Sequence, residues 1–278
     1  MSDSLTAWEA VSNGWDRRRA LVWEMSHEVG ERLVDALDPQ PGETILELAC
    51  GPGDTGLTAA ARLGPTGRLL STDFAEGMVA AARRRSAELG LTNVEHRVVD
   101  GQAIALPDVS VDGVLCRWGY MLMPDPAQAL RETWRVLRPS GRVAFSVWAD
   151  VRDNPWAAVA GKVAIDLGWA TPPEPDAPGP FRLGEAERVR ALVEAAGFAS
   201  HEIEDVVVTW RYESFDEYWG TSRDLSFSLA TTLLTLGKPD AERLRELTEQ
   251  ALGSFTAADG TLTIPGLTRN VLARKAAG

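Results

Sequence analysis

Residues 44–56 read TILELACGPGDTG. The first five, Thr44 to Leu48, are mostly apolar and read as a short buried strand. Thr55 to Leu63 is Ala-rich and reads as a helix, stopped by Gly64-Pro65. Between them lies Gly51-x-Gly53-x-x-Gly56. With 25 Gly in 278 residues, that spacing arises by chance roughly 0.2 times per chain, so the glycines alone decide little. Their setting decides more. A glycine turn between a strand and a helix lets the main chain double back and lets a flat or charged ligand approach the backbone.

The same alternation continues on both sides. Arg68 to Thr72 reads as a second strand, Glu76 to Leu89 as a helix stopped by Gly90, and Val94 to Val99 as a third strand. Val111 to Cys116 is a fourth. Asp125-Pro126 opens a helix to about Leu137, with Asp as N-cap and Pro at the first helical position. Pro139-Ser140-Gly141 reads as a tight turn before a fifth strand, Arg142 to Trp148. Strands and helices alternating in this way build a parallel sheet covered on both faces. Upstream, Leu21, Trp23, Met25, Val29, Leu33, Val34 and Leu37 form a helical apolar stripe ending at Pro39-Gln40-Pro41-Gly42. Downstream the pattern loosens. Residues 171–180 (TPPEPDAPGP) form a Pro-rich loop, Glu187 to Ala196 a helix and Glu202 to Trp210 a strand. Ser214 and Glu217 have capping-box spacing, and Leu225 to Leu252 is mostly helical. Thr261 to Arg274 carries a final strand that Pro265 is expected to interrupt. The expectation is one domain, 1–278, with an N-terminal helical cap over 1–40 and a helical lid inserted over 212–258.

Lys and Arg number 28 and Asp and Glu 40, a formal net charge of −12. Such a surface repels phosphate backbones and anionic lipid, which sets nucleic acid and membranes aside as expected partners. The two cysteines, Cys50 and Cys116, have neither a disulfide framework nor a zinc-ligand spacing. No metal is expected, and both cysteines read as small packing residues. The opening MSDSLTAWEA lacks a basic segment followed by an apolar run. No stretch reaches the ~18 apolar residues of a membrane span. A cytoplasmic protein is expected.

Three carboxylates fall at predicted strand ends. Glu47 lies just before the glycines, Asp73 follows the second strand, 26 residues on, and Asp100 follows the third. A glycine turn of this kind serves dinucleotides and S-adenosylmethionine alike. Asp73 suits the ribose hydroxyls of either. Glu47 opposes a pyrophosphate but suits a positive amino group, and three acids at one sheet edge favour a cationic ligand over a polyanion.

The stretches ELACGPGDTG (47–56), STDFAEGM (71–78), VVDGQAIALP (98–107) and VDGVLCRWGYMLMPDPAQALRETWRVLRPSGRVAFSVW (111–148) together resemble the class I S-adenosylmethionine-dependent methyltransferases. The similarity is greatest to the branch of ubiquinone/menaquinone-biosynthesis and small-molecule methyltransferases, over about residues 42–150. It implies a doubly wound, seven-stranded, mostly parallel Rossmann-like α/β sheet with the last strand antiparallel. The N-terminus and the segment before the last strand would supply a helical lid. It also implies S-adenosyl-L-methionine as cofactor and methyl transfer to O, N or C of a small, largely apolar acceptor. By position, Glu47 would order the methionine amino end, and Ala49, Gly51 and Gly53 would form the loop under the amino-acid moiety. Asp73 would hold the ribose, and Phe74 would lie against the adenine face. Asp100 would accept from the adenine amino group while the Gly101 amide meets the ring. The main-chain carbonyl of Arg117 would meet the methionine amino group. Ala49 stands where the family usually has glycine, so the turn must take a conformation that alanine tolerates. A homodimer is compatible with the resemblance, and nothing in the sequence fixes it.

Methyl transfer from a sulfonium is an in-line displacement with a good leaving group, so alignment and exclusion of water dominate. A base is needed only for a hydroxyl or a weak carbon acid, and His27 and Tyr120 are the candidates. Plainer readings compete. The carboxylates suit solvated strand ends or helix caps, and His96 suits strand packing. Trp15, Trp118, Trp148, Trp156, Trp210 and Trp219 either line an acceptor pocket or fill the core. Two other functions also compete. A nicotinamide-dependent oxidoreductase would use a similar sheet, though Glu47 argues against it. A non-catalytic cofactor-binding protein would have a blocked acceptor pocket.

Overall fold

The apolar stripe near the N-terminus folds as one helix, α1 (Asp3–Leu37), which buries Val22, Val29, Leu33, Val34 and Leu37. The structure is a computed structural model and describes residues 3–174 and 176–278. The first two residues of the expected cap and one proline of the 171–180 loop lie outside the described residues. At the end of α1, Asp38 turns left-handed (φ 49°). Arg142 donates to the carbonyls of Leu37 (2.6 Å) and Asp38 (2.7 Å) and pairs with both carboxylate oxygens of Glu43 (2.7 and 2.8 Å). A guanidinium there satisfies orphan carbonyls at the negative end of the helix dipole. It also fastens α1 to the residue before the first strand.

Five parallel strands follow: β1 (Thr44–Glu47), β2 (Arg68–Asp73), β3 (Val94–Val98), β4 (Val111–Arg117) and β5 (Leu137–Trp148). Parallel neighbours need crossovers. Helices α2 (Asp54–Leu63), α3 (Glu76–Glu88) and α4 (Pro126–Val136) supply them for the β1–β2, β2–β3 and β4–β5 connections. The start of α4 is as read: the Asp125 carboxylate accepts from the Gln128 N–H (2.9 Å) and Pro126 occupies the first turn. β6 (Ser200–Tyr212) and β7 (Leu262–Arg274) complete the order β3-β2-β1-β4-β5-β7-β6, with β7 antiparallel to both neighbours. Side chains alternate between two cores. Leu46, Val114 and Val143 enter one, while Ile45, Leu115 and Ala144 enter the other. From β1 the chain runs outward through β2 and β3, then returns to β4 on the other side of β1. The crevice beyond the carboxyl ends of β1 and β4 is therefore the topological switch point, where open α/β sheets bind ligands.

Two expectations change. Pro139-Ser140-Gly141 is not a turn before a strand but an irregularity within β5. Val111 pairs with Leu137 and Gly113 with Arg142, and Ser140 turns left-handed (φ 62°) to absorb the extra residues. Pro265 does not interrupt β7. It lies beyond Thr268, the last β7 residue paired with β5, so the missing N–H can face the open side of the strand. The helical layer over the sheet also draws on more than the 212–258 insertion. Helix α5 (Pro155–Asp166) shares a small core of Ala160, Ala164, Leu229 and Leu244 with α8 (Phe227–Thr235) and α9 (Lys238–Ala251). Between α5 and β6 runs α6 (Ala186–Ala195).

Helix α7 (Phe215–Leu225) begins where Ser214 accepts from the Glu217 N–H (3.2 Å). The Glu217 carboxylate reaches back to the Glu213 N–H (2.8 Å), one residue before the cap. Helix α1 is locked to α7. Gly14 packs so tightly on the Asp224 carbonyl that a Cβ would sit 2.0 Å from it. The Trp15 indole donates to Leu225 O (3.2 Å), and Arg18 pairs with Asp224 (2.8 Å). Among the described residues, no helix is long and apolar enough to cross a membrane.

Candidate functional site

The glycine turn after β1 lies at the switch point, and its three glycines are there for different reasons. A Cβ on Gly51 (φ 53°) would meet nothing within 4 Å, so this position faces open space. A Cβ on Gly53 (φ 99°) would come within 3.0 Å of Ala82 on α3. A Cβ on Gly56 would sit 2.0 Å from Oε2 of Glu47. Gly53 thus lets α2 and α3 approach, Gly56 lets a carboxylate pass, and Gly51 is the one of the three that leaves room for a ligand. Ala49 takes the left-handed conformation (φ 52°), at a cost of about 1–2 kcal/mol for an L-residue. Its methyl is accommodated because residue 119 is glycine, where a Cβ would sit 2.7 Å from it.

Glu47 is 2% exposed. Its Oε1 accepts from the Gly56 N–H (2.7 Å) and its Oε2 from the Ser71 hydroxyl (3.0 Å). Burial pushes its carboxyl up to about 8, against the opposing pull of those two hydrogen bonds. Glu47 sits beneath the glycine loop, where sequence reasoning expected it to meet a ligand's amino group. Both oxygens are engaged beneath the loop, where they tie the first turn of α2 to β2.

Asp73 is 6% exposed. Its Oδ2 accepts from the Gly51 N–H (3.0 Å) and its Oδ1 from the Ala75 N–H (3.0 Å), so it buckles the glycine loop to the β2–α3 turn. Burial pushes it up to about 6. Each oxygen accepts one of these bonds and has capacity for a second. Phe74 is half-buried beside Asp73. Asp100 is exposed, and its Oδ1 accepts from the Gln102 N–H (2.9 Å) and Nε2 (3.2 Å). Gly101 is buried, and a Cβ there would meet Met123 Cε at 2.8 Å. Of the three acids only Asp100 faces solvent.

Arg117, at the carboxyl end of β4, contributes a side chain that sequence reasoning had not used. It is half-buried, and its Nη1 donates to the Ser26 hydroxyl (2.9 Å) on α1. The guanidinium lies over the ring of Trp118 (4.6 Å to the centroid) and 5.7 Å from that of Trp23. Burial lowers its pKa, while Asp54 and Glu47 pull it back up. Trp118 itself is left-handed (φ 58°), an uncommon state for a bulky residue. That conformation directs its indole inward to stack on Trp148 (4.2 Å) and donate to the Thr268 hydroxyl (2.9 Å).

The first half of α1 also reaches this region. The Glu9 carboxylate accepts from the N–H groups of Glu76 (2.5 Å) and Gly77 (3.2 Å) at the start of α3, and Arg19 pairs with Asp54 at the start of α2 (2.8 Å). Ser26 and Glu9 had no signal in the sequence and Trp23 read only as part of the apolar stripe of α1, because their partners at the site lie 67 residues or more away.

The two candidate bases, Tyr120 and His27, lie in different surroundings. Tyr120 is fully buried, packs edge-on against Phe145 and shares a hydrogen bond with Thr133 Oγ1 (2.6 Å). Burial raises its pKa well above the ordinary tyrosine value, which disfavours a phenolate. Tyr120 is a core residue. His27 is exposed on α1, with Nδ1 on the carbonyl of Glu24 in its own helix (2.9 Å). Both thiols are buried, and burial pushes Cys116 up to about 12. His96 meets Ser86 Oγ through Nε2 (2.8 Å). Trp118, Trp148 and Trp210 are 7%, 3% and 1% exposed, so these three fill the core rather than line a pocket.

Residues 45–141 match a family model described as a methyltransferase domain. A nocamycin O-methyltransferase from Saccharothrix syringae is 41% identical over 124 residues, 44% of this chain and 44% of its own. Aklanonic acid methyltransferase DauC from Streptomyces sp. (strain C5) is 34% identical over 140 residues, 50% of this chain and 62% of its own. The chain thus spans about half the length of these curated relatives. The YcgJ protein from Bacillus subtilis superposes with a TM-score of 0.61 over 91% of this chain and 100% of its own, at 17% identity, a likeness of fold.

Proposed function

We propose, from the methyltransferase domain that residues 45–141 match, that this chain is an S-adenosylmethionine-dependent methyltransferase acting on a small molecule. The observation that carries the reading is Gly51. It is the position of the glycine turn with open space beside it, it sits at the switch point, and its N–H is held by Asp73. The residues present fit the cofactor's nucleoside end. Asp73 has lone pairs left for ribose hydroxyls, Phe74 gives an apolar face, and Asp100 is an exposed acceptor for an adenine amino group.

When bound, the cofactor supplies a methyl group on a cationic sulfur. The protein's task is then alignment and exclusion of water, a contribution of up to about 7–11 kcal/mol in favourable cases. Asp73, by fixing the Gly51 amide, presets the shape of the loop. The first half of α1 lies across the starts of α2 and α3 through Glu9 and Arg19, and Trp23 lies against Arg117. Burial raises the Glu47 pKa, which lessens its negative charge beneath the glycine loop. The reading carries with it a cytoplasmic protein, and a net charge of −12 speaks against nucleic-acid partners.

Calorimetric titration with S-adenosylhomocysteine and with NAD tests the proposal. The expected result is binding of the first and not the second. Binding of NAD alone would overturn it in favour of an oxidoreductase.

A further inference from the structure

We propose that the Arg117 guanidinium is the recognition site for a carboxylate on the methyl acceptor. The inference rests on the methyltransferase reading and narrows its substrate class from small molecules to small organic acids.

A guanidinium offers five N–H donors and is always charged. Among the described residues, Arg117 has one hydrogen-bond partner, the Ser26 hydroxyl, and no carboxylate within 4.0 Å. The two nearby acids that favour its charge are engaged elsewhere. Asp54 pairs with Arg19, and Glu47 holds the Gly56 N–H and the Ser71 hydroxyl. Arg182, also half-buried and without a carboxylate, donates instead to the carbonyls of Met123 and Pro124. Arg142, the most buried arginine, has Glu43 and two helix-end carbonyls. Arg117 therefore stands apart as a half-buried cation with most of its donors open.

It is also held still. Trp118 and Trp23 flank the guanidinium, and Ser26 is fixed by its own bond to Val22 O (2.6 Å). A planar fork between aromatic faces is preorganised for bidentate recognition of a carboxylate. Its place is the carboxyl end of β4, across the switch point from the glycine loop, where Gly119 packs on Ala49. An acceptor group anchored there lies beside the donor loop. The need for such a cation is electrostatic. A chain with net charge −12 repels an acid at long range, so an acidic acceptor requires a fixed positive group at short range.

The amino-acid end of the cofactor also carries a carboxylate, and the experiment separates the two sources. The full chain, free and saturated with S-adenosylhomocysteine, is titrated calorimetrically with 2-naphthoate and with its neutral isostere 2-naphthamide. The same titrations are run on Arg117→Lys and Arg117→Met, with thermal unfolding as the folding control. The expected result is that wild type prefers the acid by at least ~10-fold. Arg117→Lys keeps part of that preference and Arg117→Met loses it, while S-adenosylhomocysteine affinity changes less than about 3-fold. Equal binding of acid and amide by wild type, or no binding of the acid, overturns the proposal. So does a loss of S-adenosylhomocysteine affinity of ~10-fold or more in Arg117→Met, which assigns the site to the cofactor's own carboxylate. Failure of wild type to bind S-adenosylhomocysteine at all refutes the methyltransferase reading instead, and the free-chain titrations still report on Arg117.

Discussion

Replacing Glu47 by Gln should stabilise the protein at neutral and alkaline pH. Glutamine keeps the shape and both hydrogen bonds: its carbonyl can accept from the Gly56 N–H and its amide can donate to the Ser71 oxygen. What it removes is an ionisation. In the folded chain burial holds the Glu47 carboxyl at about 8, against 4.5 in the open chain. A carboxyl raised on folding keeps its proton where the unfolded chain has lost it. Its contribution is full below about pH 4.5, falls as pH rises, and levels off above about pH 8. At about 1.4 kcal/mol per pH unit, the folded state forgoes roughly 5 kcal/mol by pH 9, an upper figure that local relaxation reduces to roughly 2–5. Glu47→Gln should therefore match wild type near pH 4 and exceed it progressively up to pH 8. Urea unfolding of both proteins at several pH values between 4 and 9 measures this directly. A variant less stable than wild type at pH 8.5, or a difference independent of pH, would refute the assignment of Glu47 as a buried, costly acid.

Further outcomes follow from the same loop and its surroundings. Gly56→Ala should lower stability by about 2–4 kcal/mol, because its methyl meets the Glu47 carboxylate at 2.0 Å inside the protein; thermal unfolding reads it. Asp73→Asn offers one acceptor oxygen where two are used, so S-adenosylhomocysteine affinity should drop ~10-fold by calorimetry. Ala49→Val should cost at least about 2 kcal/mol and Ala49→Gly close to nothing, because a β-branched side chain is poorly tolerated at φ 52°. Ser214→Ala removes the acceptor for the Glu217 N–H and should cost about 1 kcal/mol in chemical denaturation.

The parallel half of the fold was legible because its signals are local. The strand-turn-helix at 44–63, the Asp125-Pro126 cap and the apolar strands all lie within a few residues of their own explanation. The errors came where distant pairing overrides a local rule. Pro265 reads as a strand breaker, but β7 has only β6 beside it at that point, so the missing donor is harmless. Ser140 reads as a turn residue, and its left-handed conformation indeed serves a bend, but inside β5. At the site, residue positions were legible and side-chain directions were not. Glu47 sits where the pattern places it, yet Gly56 and Ser71 draw both its oxygens inward. That weakens the electrostatic argument against a pyrophosphate and leaves the match of residues 45–141 to a methyltransferase domain as the stronger ground. The Arg117 side chain acquires meaning only from Ser26 and Trp23, which lie 91 and 94 positions away in the chain.

On the proposed reading, the open face of Gly51, braced by Asp73, receives a sulfonium nucleoside at the tips of β1 and β2. A crystal structure with bound S-adenosylhomocysteine decides whether it does. The predicted result is the nucleoside against Gly51 with its ribose hydroxyls on the Asp73 carboxylate. The contradicting result is the same ligand elsewhere, for instance in the groove of about 490 Å³ bordered by Trp219, Arg223, Leu234 and Arg245, with the glycine loop unoccupied.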